Sequence, residues 1–355
     1  MFFSYKPWGN IDWITNKLAH IEQWGFLGNI STEERSLCAW RWLKGNRKLI
    51  NYEMWKINDI TTPPSPFKEI TNEQYVIREK EYFRNGGQKP LEFSLLESDE
   101  KASEYFRMFI EKTKGDIIID ISTMPKRWFF PIIKECIENE EVKNLLVTYT
   151  VAKFYSKNQG EDPMAWKYFP SFGELPEREI IEKIFIISAG YQPLSLPEWI
   201  SQQESPKIYI LFPFPASISG YTRAWDFVRT VEIDCYPDEF DYQPIKRDNF
   251  KIKFVSGYDL PVIYDTISEI IELENGKESR KEPILIPYGP KPVSLAFAIL
   301  SSQLHFPVGY TQPMYYNPYY SKGFEETENE VPKTISYLLK ESGKILYKPP
   351  VITYT

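Results

Sequence analysis

An α/β fold with two doubly wound parallel sheets in tandem is the architecture that the sequence predicts. Short apolar runs, typical of buried parallel strands, alternate with amphipathic helical segments. This alternation occurs once in each half of the chain, and a Pro-Lys pair follows one strand in each half. The length of 355 residues is enough for two domains of ordinary size.

The first series of elements begins at residue 91. We predict strands at Leu91 to Leu96, Asp116 to Ile121 and Asn144 to Val151, and helices at Asp99 to Lys112 and Trp128 to Glu138. The second of these strands is apolar apart from its acids, which is typical of a strand that is buried on both faces. Strands and helices that alternate through short connections indicate a Rossmann-like half.

The second series repeats this order. Its predicted strands are 183–188, 207–212, 250–256, 283–287 and 307–311, and its predicted helices are 223–231, 262–273 and 293–303. Residues 331–355 are expected to form a terminal helix and an extended tail. The predicted domains are therefore a first Rossmann-like half at 1–160, a second at 161–330, and the C-terminal segment 331–355.

The first half opens with what we predict to be a Trp-rich helical extension. The apolar residues of Ile11 to Trp24 are spaced as in an amphipathic helix. The run Ser31 to Glu34 has the pattern of a capping box, which predicts a second helix through Trp42. Leu49 to Ile57 alternates like a strand, and the proline-rich run 61–66 that follows predicts a loop.

Composition and charge narrow the classes of function. The net charge of −7 gives no global basic field, so nucleic acid is not expected as the main partner. Three widely spaced cysteines and two histidines, His20 and His305, argue against a disulfide framework, a zinc site and a His-dependent triad. The N-terminus lacks a secretory pattern and no apolar run is long enough to span a bilayer. We expect a cytoplasmic protein with no metal and no membrane partner.

Short sequence matches between the halves predict an internal duplication. The first half contains Pro125-Lys126, Tyr149-Thr150 and Phe154-Tyr155, and the second contains, in the same order, Pro290-Lys291, Tyr310-Thr311 and Tyr315-Tyr316. Each pair falls on or just after the same predicted element. One match would be weak evidence, but three in one order favour a repeat.

The two Pro-Lys turns are the main candidate ligand sites. Ligands of open parallel sheets bind beyond the carboxyl ends of the strands, and a helix that begins there directs its positive dipole end towards them. Proline suits the first helical turn, and the following lysine adds a cation. We therefore predict a small anionic or nucleotide-like ligand, with candidate contacts at Ser122, Lys126, Arg127, Tyr149, Tyr155, Tyr288, Gly289, Lys291, Tyr310 and Tyr316. Solvated lysines that bind nothing are the equally weighted alternative.

Other features of these turns leave the chemistry open. Neither turn has the spacing of a GxGxxG or Walker A loop, which disfavours ordinary dinucleotide binding and P-loop hydrolysis. Asp120 is a weak catalytic candidate that could instead form the turn or cap the helix. Arg127 is either an anion ligand or a solvated arginine. The tyrosine-rich run 310–320 predicts either a stacking wall or an ordinary packing or partner surface.

Three stretches carry a resemblance to a known group of proteins. The runs DIIIDISTMPK, VTYT with its aromatic pair, and IPYGPKP with AFA resemble bacterial tandem Rossmann-like proteins that are associated with anti-phage defence loci. The resemblance covers residues 90–325, and in outline the chain is also similar to CRISPR-associated Rossmann-fold sensors. It implies a nucleotide or phosphorylated-ligand sensor and a place in an anti-phage defence system. A nucleotide-processing enzyme that uses Asp120 to Arg127 and a scaffold subunit are the alternatives.

Overall fold

The chain forms two compact units, each a mixed α/β structure. The computed structural model describes residues 5–46, 48–59, 64–156, 163–173, 182–203, 207–214, 218–235, 249–275 and 281–351. Unit 1 contains residues 1–162 and 313–347, and unit 2 contains residues 163–312 and 348–355. The first boundary lies close to the predicted one at residue 160. The chain, however, leaves unit 2 after residue 312 and returns to unit 1.

The secondary structure of the described residues is as follows. The α-helices are α1 Ile11–Lys17, α2 Cys38–Asn46, α3 Lys68–Arg84, α4 Asp99–Lys112, α5 Lys126–Glu138, α6 Leu196–Ser201, α7 Ile218–Cys235, α8 Leu260–Asn275 and α9 Lys291–Leu304. The strands are β1 Trp8–Asn10, β2 Gln23–Ile30, β3 Lys48–Asn58, β4 Leu91–Ser94, β5 Asp116–Asp120, β6 Asn144–Thr150, β7 Ala152–Tyr155, β8 Lys167–Tyr168, β9 Glu182–Ser188, β10 Lys207–Pro213, β11 Phe250–Val255, β12 Lys281–Pro287, β13 Gly309–Tyr310, β14 Ser321–Phe324, β15 Thr334–Glu341 and β16 Lys344–Ile345.

The main sheet of unit 1 is mostly parallel. Its order is β1-β15-β6-β5-β2-β3-β4, with β16 paired to β15. The strands from β6 to β4 are parallel to their neighbours, whereas β15 is antiparallel to β6 and β1 is antiparallel to β15. Numbered along the chain, the parallel strands follow the order 3-2-1-4-5, which is that of a doubly wound sheet.

Helices cover both faces of this sheet. On one face, Trp24 and Phe26 of β2 belong to a buried cluster with Ile14 of α1, Trp40 of α2 and Tyr82 of α3. On the other face, a Cβ at Gly25 would lie 2.1 Å from Thr113 and 3.3 Å from Phe109, so α4 packs directly on the strand backbone. Such close approach requires glycine.

The sheet of unit 2 has the same kind of winding. Its order is β11-β10-β9-β12 with all strands parallel, and Leu285 of β12 forms a parallel bridge to Val308. One face packs on α6 and α7 through Phe185 and Ile187, and α8 lies on the other face, where Glu274 meets Tyr209. The strand order again corresponds to 3-2-1-4-5. This common order supports the internal duplication, which stays a prediction.

Between residues 91 and 311 the predicted elements coincide with the observed ones to within about five residues. Helix α4 has the predicted bounds, and Ser98 caps it by accepting a hydrogen bond from the Lys101 backbone N–H at 3.4 Å. Strand β5 ends at Asp120 rather than at Ile121. The prediction of an α/β fold with doubly wound parallel sheets is confirmed.

The predicted helical extension at the N-terminus is right only in part: a 3₁₀ turn at Glu34–Leu37 leads into α2, whereas the first predicted helix is too long. The first helix ends at Lys17, and Trp24 lies in β2, a central strand. Ser31 does not form a capping box, because its Oγ accepts from the Glu33 N–H at 3.1 Å, and α2 begins only at Cys38. A strand buried on both faces lacks alternation, so periodicity alone does not distinguish it from a helix.

Two further differences lie outside the predicted series. Residues 334–341 form β15 rather than a helix, and seven of its eight residues are buried between two covered faces, again without alternation. Helix α3 was not predicted, because its apolar residues show no helical stripe. Residues 61–63 of the predicted loop at 61–66 lie outside the described residues, and residues 64–66 contain neither helix nor strand.

Candidate ligand site

The carboxyl ends of β2 and β5 meet at the topological switch point of unit 1. Strand connections leave in opposite directions there, which is where ligands of open α/β sheets bind. Asn29 and Thr123 join the two strand ends. The Asn29 Nδ2 donates to the Thr123 carbonyl at 3.4 Å, and the Thr123 hydroxyl donates to the Asn29 carbonyl at 3.3 Å. The switch point is therefore rigidly defined at its base.

Asp120 forms the turn that follows β5. Its carboxylate is 1% exposed and accepts from the Ser122 hydroxyl at 2.5 Å, the Ser122 N–H at 3.2 Å and the Thr148 hydroxyl at 3.2 Å. The Ser122 Oγ also accepts from the Thr150 N–H at 2.8 Å. Both side chains thus hold the turn against β6. This geometry is that of an Asx turn, with the carboxylate engaged by its own loop.

The Pro-Lys turn of unit 1 begins α5. Pro125 occupies the N-cap position, and its carbonyl accepts from the N–H groups of Trp128 and Phe129 at 2.9 and 3.1 Å. Lys126 and Arg127 are half-buried in the first turn. Arg127 also makes a long contact of 3.5 Å with the Glu97 carbonyl. Two cations therefore stand at the positive end of a helix dipole, where an anion is stabilised.

Arg35, which the sequence analysis did not select, is buried at the same edge. Its Nε and Nη2 each lie 2.9 Å from Glu33 Oε2, its Nη1 donates to the Thr150 carbonyl at 3.1 Å, and its guanidinium lies 5.6 Å from the centre of the Tyr149 ring. Burial lowers the pKa of Arg35, but the charges of Glu33, Tyr155 and Tyr149 and the hydrogen bond to Glu33 together outweigh burial, so the pKa lies above its ordinary value. Glu33 neutralises this cation, so Arg35 acts mainly as a structural tie.

Tyrosines lie beside this ion pair. The hydroxyls of Tyr149 and Tyr155 are 3.2 Å apart, and the rings of Tyr155 and Tyr320 meet edge to face at 5.5 Å. Strand β14 pairs with β7, and the Ser321 hydroxyl donates to Glu33. The tyrosine-rich segment, residues 315–320, is thereby attached to the carboxyl edge of the unit 1 sheet.

Asp59 provides a second attachment for this segment. It directly follows β3, and its carboxylate accepts from the Tyr316 N–H at 3.4 Å. Burial raises the pKa of Asp59 to about 6, and the hydrogen bond from Tyr316 only partly opposes this. Since Asp59 follows a predicted strand immediately, its position at the carboxyl edge was available from the sequence.

The turns of unit 2 differ from those of unit 1. The Tyr288 hydroxyl donates to Thr311 Oγ1 at 2.5 Å, and the Gly289 N–H donates to Ser188 Oγ at 2.8 Å. A Cβ at Gly190 would lie 2.3 Å from the Tyr288 carbonyl, so the loops after β9 and β12 touch. Only glycine permits this contact. The loops after β9 and β12 are therefore in contact directly beyond the strand ends.

The predicted residues divide between the units. Unit 1 contains Ser122, Lys126, Arg127, Tyr149, Tyr155 and Tyr316, whereas unit 2 contains Tyr288, Gly289, Lys291 and Tyr310. Lys291 is the half-buried first residue of α9, and the rings of Tyr288 and Tyr310 lie 5.1 Å apart. Tyr316 thus lies in the other unit from Tyr310, its neighbour in the proposed repeat.

Neither a cluster that could hold a metal nor a helix that could span a membrane occurs in the described residues. Within the described ranges, no group of three or more His, Cys, Asp or Glu side chains is placed to hold a metal ion. No helix in the described parts of the chain is long and apolar enough to cross a bilayer. No protein-family model matches the chain, and no curated protein matches it.

Proposed function

We propose that this protein binds a nucleotide or another small phosphorylated ligand and acts as a sensor of it. The observation that carries the proposal is the position of the two Pro-Lys turns. In each unit the turn begins the helix that follows the fourth strand of a 3-2-1-4-5 sheet, namely α5 after β5 and α9 after β12. This edge of a doubly wound sheet is where such ligands bind.

The charges of unit 1 suggest how the ligand is oriented. Glu33 and Glu34 follow β2 and repel an anion, and Arg35 is neutralised by Glu33. The phosphate therefore binds at the first turn of α5, beside Lys126 and Arg127. Charge-assisted hydrogen bonds from these cations would supply most of the affinity. The tyrosines of the same edge offer rings for a base to stack on.

The burial and the hydrogen bonds of the Asp120 carboxylate favour ligand binding without catalysis. A general base must reach the proton that it abstracts. Asp120 is buried, and its carboxylate accepts hydrogen bonds from Ser122 and Thr148. The alternative of a nucleotide-processing enzyme would require turnover that is lost in Asp120→Asn. A place in an anti-phage defence system extends the proposal on the sequence resemblance alone.

The first test identifies the ligand and then removes the lysines that we propose bind it. Mass spectrometry of the small molecules that co-purify with the protein supplies the probe, and titration calorimetry measures its Kd. We expect Lys126→Ala and Lys291→Ala each to weaken binding by about tenfold or more, since a hydrogen bond to a charged group contributes about 1.5–3 kcal/mol. Lys134→Ala, farther along α5, is the matched control. Unchanged affinity in both Pro-Lys variants would contradict the proposal.

A further inference from the structure

The main sheet of unit 1 has a gap beside the amino-terminal part of β3. The candidate ligand site lies at the other end of the strands, at their carboxyl ends. Strand β3 extends from Lys48 to Asn58, but β4 pairs only with its last four residues, Trp55 to Asn58. Pro90 immediately precedes β4 and has no N–H to continue the ladder, so the pairing stops at Leu91. Among the described residues, no strand therefore pairs with the amino-terminal part of β3 on this side.

The unpaired part of β3 presents main-chain groups to the gap. The Asn58 carbonyl accepts from the Leu95 N–H on the β4 side. Main-chain groups alternate between the two sides of a strand, so every second residue back from Asn58, including Met54 and Tyr52, points the same way. Among the described residues, none pairs with the N–H of Met54 or with either main-chain group of Tyr52. Such an edge is a template for another strand.

A cleft of about 240 Å³ occupies the place where β4 would continue. Its lining residues come from β3, the end of α3, the following loop and α4: Tyr52, Glu53, Met54, Tyr82, Gln88, Lys89, Leu91, Tyr105, Met108 and Lys112. Because side chains alternate along β3, Tyr52 and Met54 lie on one face and Glu53 on the other. The cleft thus offers an apolar pocket on one face of the gap and a polar one on the opposite face.

Glu53 determines what the polar pocket accepts. Its side chain is 16% exposed, Oε1 lies 3.5 Å from the Lys112 ammonium, and the buried Oε2 has no hydrogen-bond partner among the described residues. A buried carboxylate oxygen requires a donor. Lys112 and Lys89 both line the cleft and would repel another cation. A neutral N–H donor, as in the carboxamide of asparagine or glutamine, satisfies Glu53 without this repulsion.

We propose that the gap is a docking site for an extended peptide segment of a partner protein, which adds to the free edge of β3. The main chain of the peptide runs parallel to β3, as β4 does, and pairs with Tyr52 and Met54, so that the N–H of its central residue donates to the Tyr52 carbonyl. Its side chains follow the pattern apolar–amide–apolar. The amide meets Glu53, and the flanking apolar side chains enter the pocket formed by Tyr52, Met54 and Tyr82.

The probe for this site is the blocked pentapeptide acetyl-Thr-Leu-Gln-Leu-Thr-amide, with versions that carry Asn or Glu at the centre. Hydrogen exchange of the full-length protein reports on the site, because strand pairing protects the amides of Tyr52 and Met54. We expect the Gln and Asn peptides to slow exchange at both amides at millimolar concentration. The Glu peptide should bind at least fivefold more weakly, because it places a second carboxylate beside Glu53 and removes a hydrogen bond.

Two controls separate strand addition from other kinds of binding. Met108→Trp fills the cleft from an exposed position of α4 and should abolish the protection, whereas Glu111→Trp, on the same helix but outside the cleft, should not. A peptide N-methylated at its central residue should lose at least fivefold in affinity. Equal binding of the methylated peptide would overturn the proposal in favour of a small-molecule cleft. Protection by no peptide of the set would also overturn it.

Discussion

Three buried or half-buried acids at the carboxyl edge of unit 1 differ in how well their charge is compensated. Asp120 accepts from the hydroxyls of Ser122 and Thr148, and Glu33 has the guanidinium of Arg35. Asp59 has one long hydrogen bond of 3.4 Å from a backbone N–H. A carboxylate with so little compensation favours its neutral form, which is why burial raises the pKa of Asp59 to about 6.

Asp59 therefore gives unit 1 a stability that depends on pH. The folded pKa lies above that of the unfolded chain, so the contribution of Asp59 is fully present below about pH 4 and is lost as the pH rises through 6. We expect this loss to amount to about 3 kcal/mol, since one pKa unit corresponds to about 1.4 kcal/mol. Asp59→Asn, which is neutral at every pH, should be more stable than the wild type at pH 7.

Urea unfolding at pH 4 and pH 7 measures this effect. The Asn variant keeps an oxygen that can accept from Tyr316, so the geometry of the segment is retained. Asp12→Asn, at an exposed position of α1, controls for the loss of a negative charge. An identical pH dependence in Asp59→Asn and the wild type would show that Asp59 does not titrate in this range.

At the scale of elements, apolar runs between turn residues predicted most strands. The prediction failed where an apolar run was compatible with both a strand and a helix. Strand β5 was predictable because a short run of isoleucines between a glycine and a Pro-Lys turn is too short for a helix. Because Trp24 matches the helical spacing of the preceding apolar residues, the start of β2 was predicted as helix.

At the candidate site, the Pro-Lys turns were predictable from their position after strands. Arg35 was not, since its partners Glu33 and Thr150 are brought to it only by the fold.

The unpredicted strand β15 also supplies the side chain that caps the C-terminal end of α5. Lys340 is 4% exposed, and its ammonium donates to the carbonyls of Cys136, Ile137 and Asn139 at 3.4, 3.4 and 2.8 Å. These carbonyls lie at the C-terminal end of α5, where they have no partner within the helix and where the dipole favours a cation. One side chain of a strand thus caps a helix that is distant in sequence.

Lys340→Met should therefore destabilise the protein by about 2–3 kcal/mol, because the apolar stem is retained while the donors to the buried carbonyls are lost. Urea unfolding followed by tryptophan fluorescence measures the free energy of unfolding. Lys344→Met, an exposed position of β16, is the matched control and should change it by less than about 0.5 kcal/mol. Equal effects of the two substitutions would contradict the capping role.

At the scale of the whole molecule, unit 1 is built from two separate parts of the chain, residues 1–162 and 313–347. Strand β15 lies between β1 and β6, so residues 8–10 and 144–150 both pair with residues 334–341. Most of unit 2, residues 163–312, lies in sequence between β7 and β14, and residues 348–355 also belong to it. The division near residue 160 was predicted, but the return of the chain was not, because nothing in the pattern of residues 313–347 indicates which sheet they join.

This return predicts different outcomes for two shortened chains. Ending the chain after Gln312 removes β15, with Tyr337, Leu338 and Leu339 buried in unit 1. Burial of each such side chain contributes about 1.5–3 kcal/mol, so their loss is comparable to the roughly 5–15 kcal/mol that stabilise a whole domain. We therefore expect unit 1 to unfold, with β2, β5 and β6 losing protection from hydrogen exchange. Strands β9, β10 and β12 of unit 2 should keep theirs. Ending the chain after Tyr347 leaves β15 in place and should leave unit 1 protected. Retained protection of β2 and β5 in the chain that ends at residue 312 would show that unit 1 folds without its returning strand.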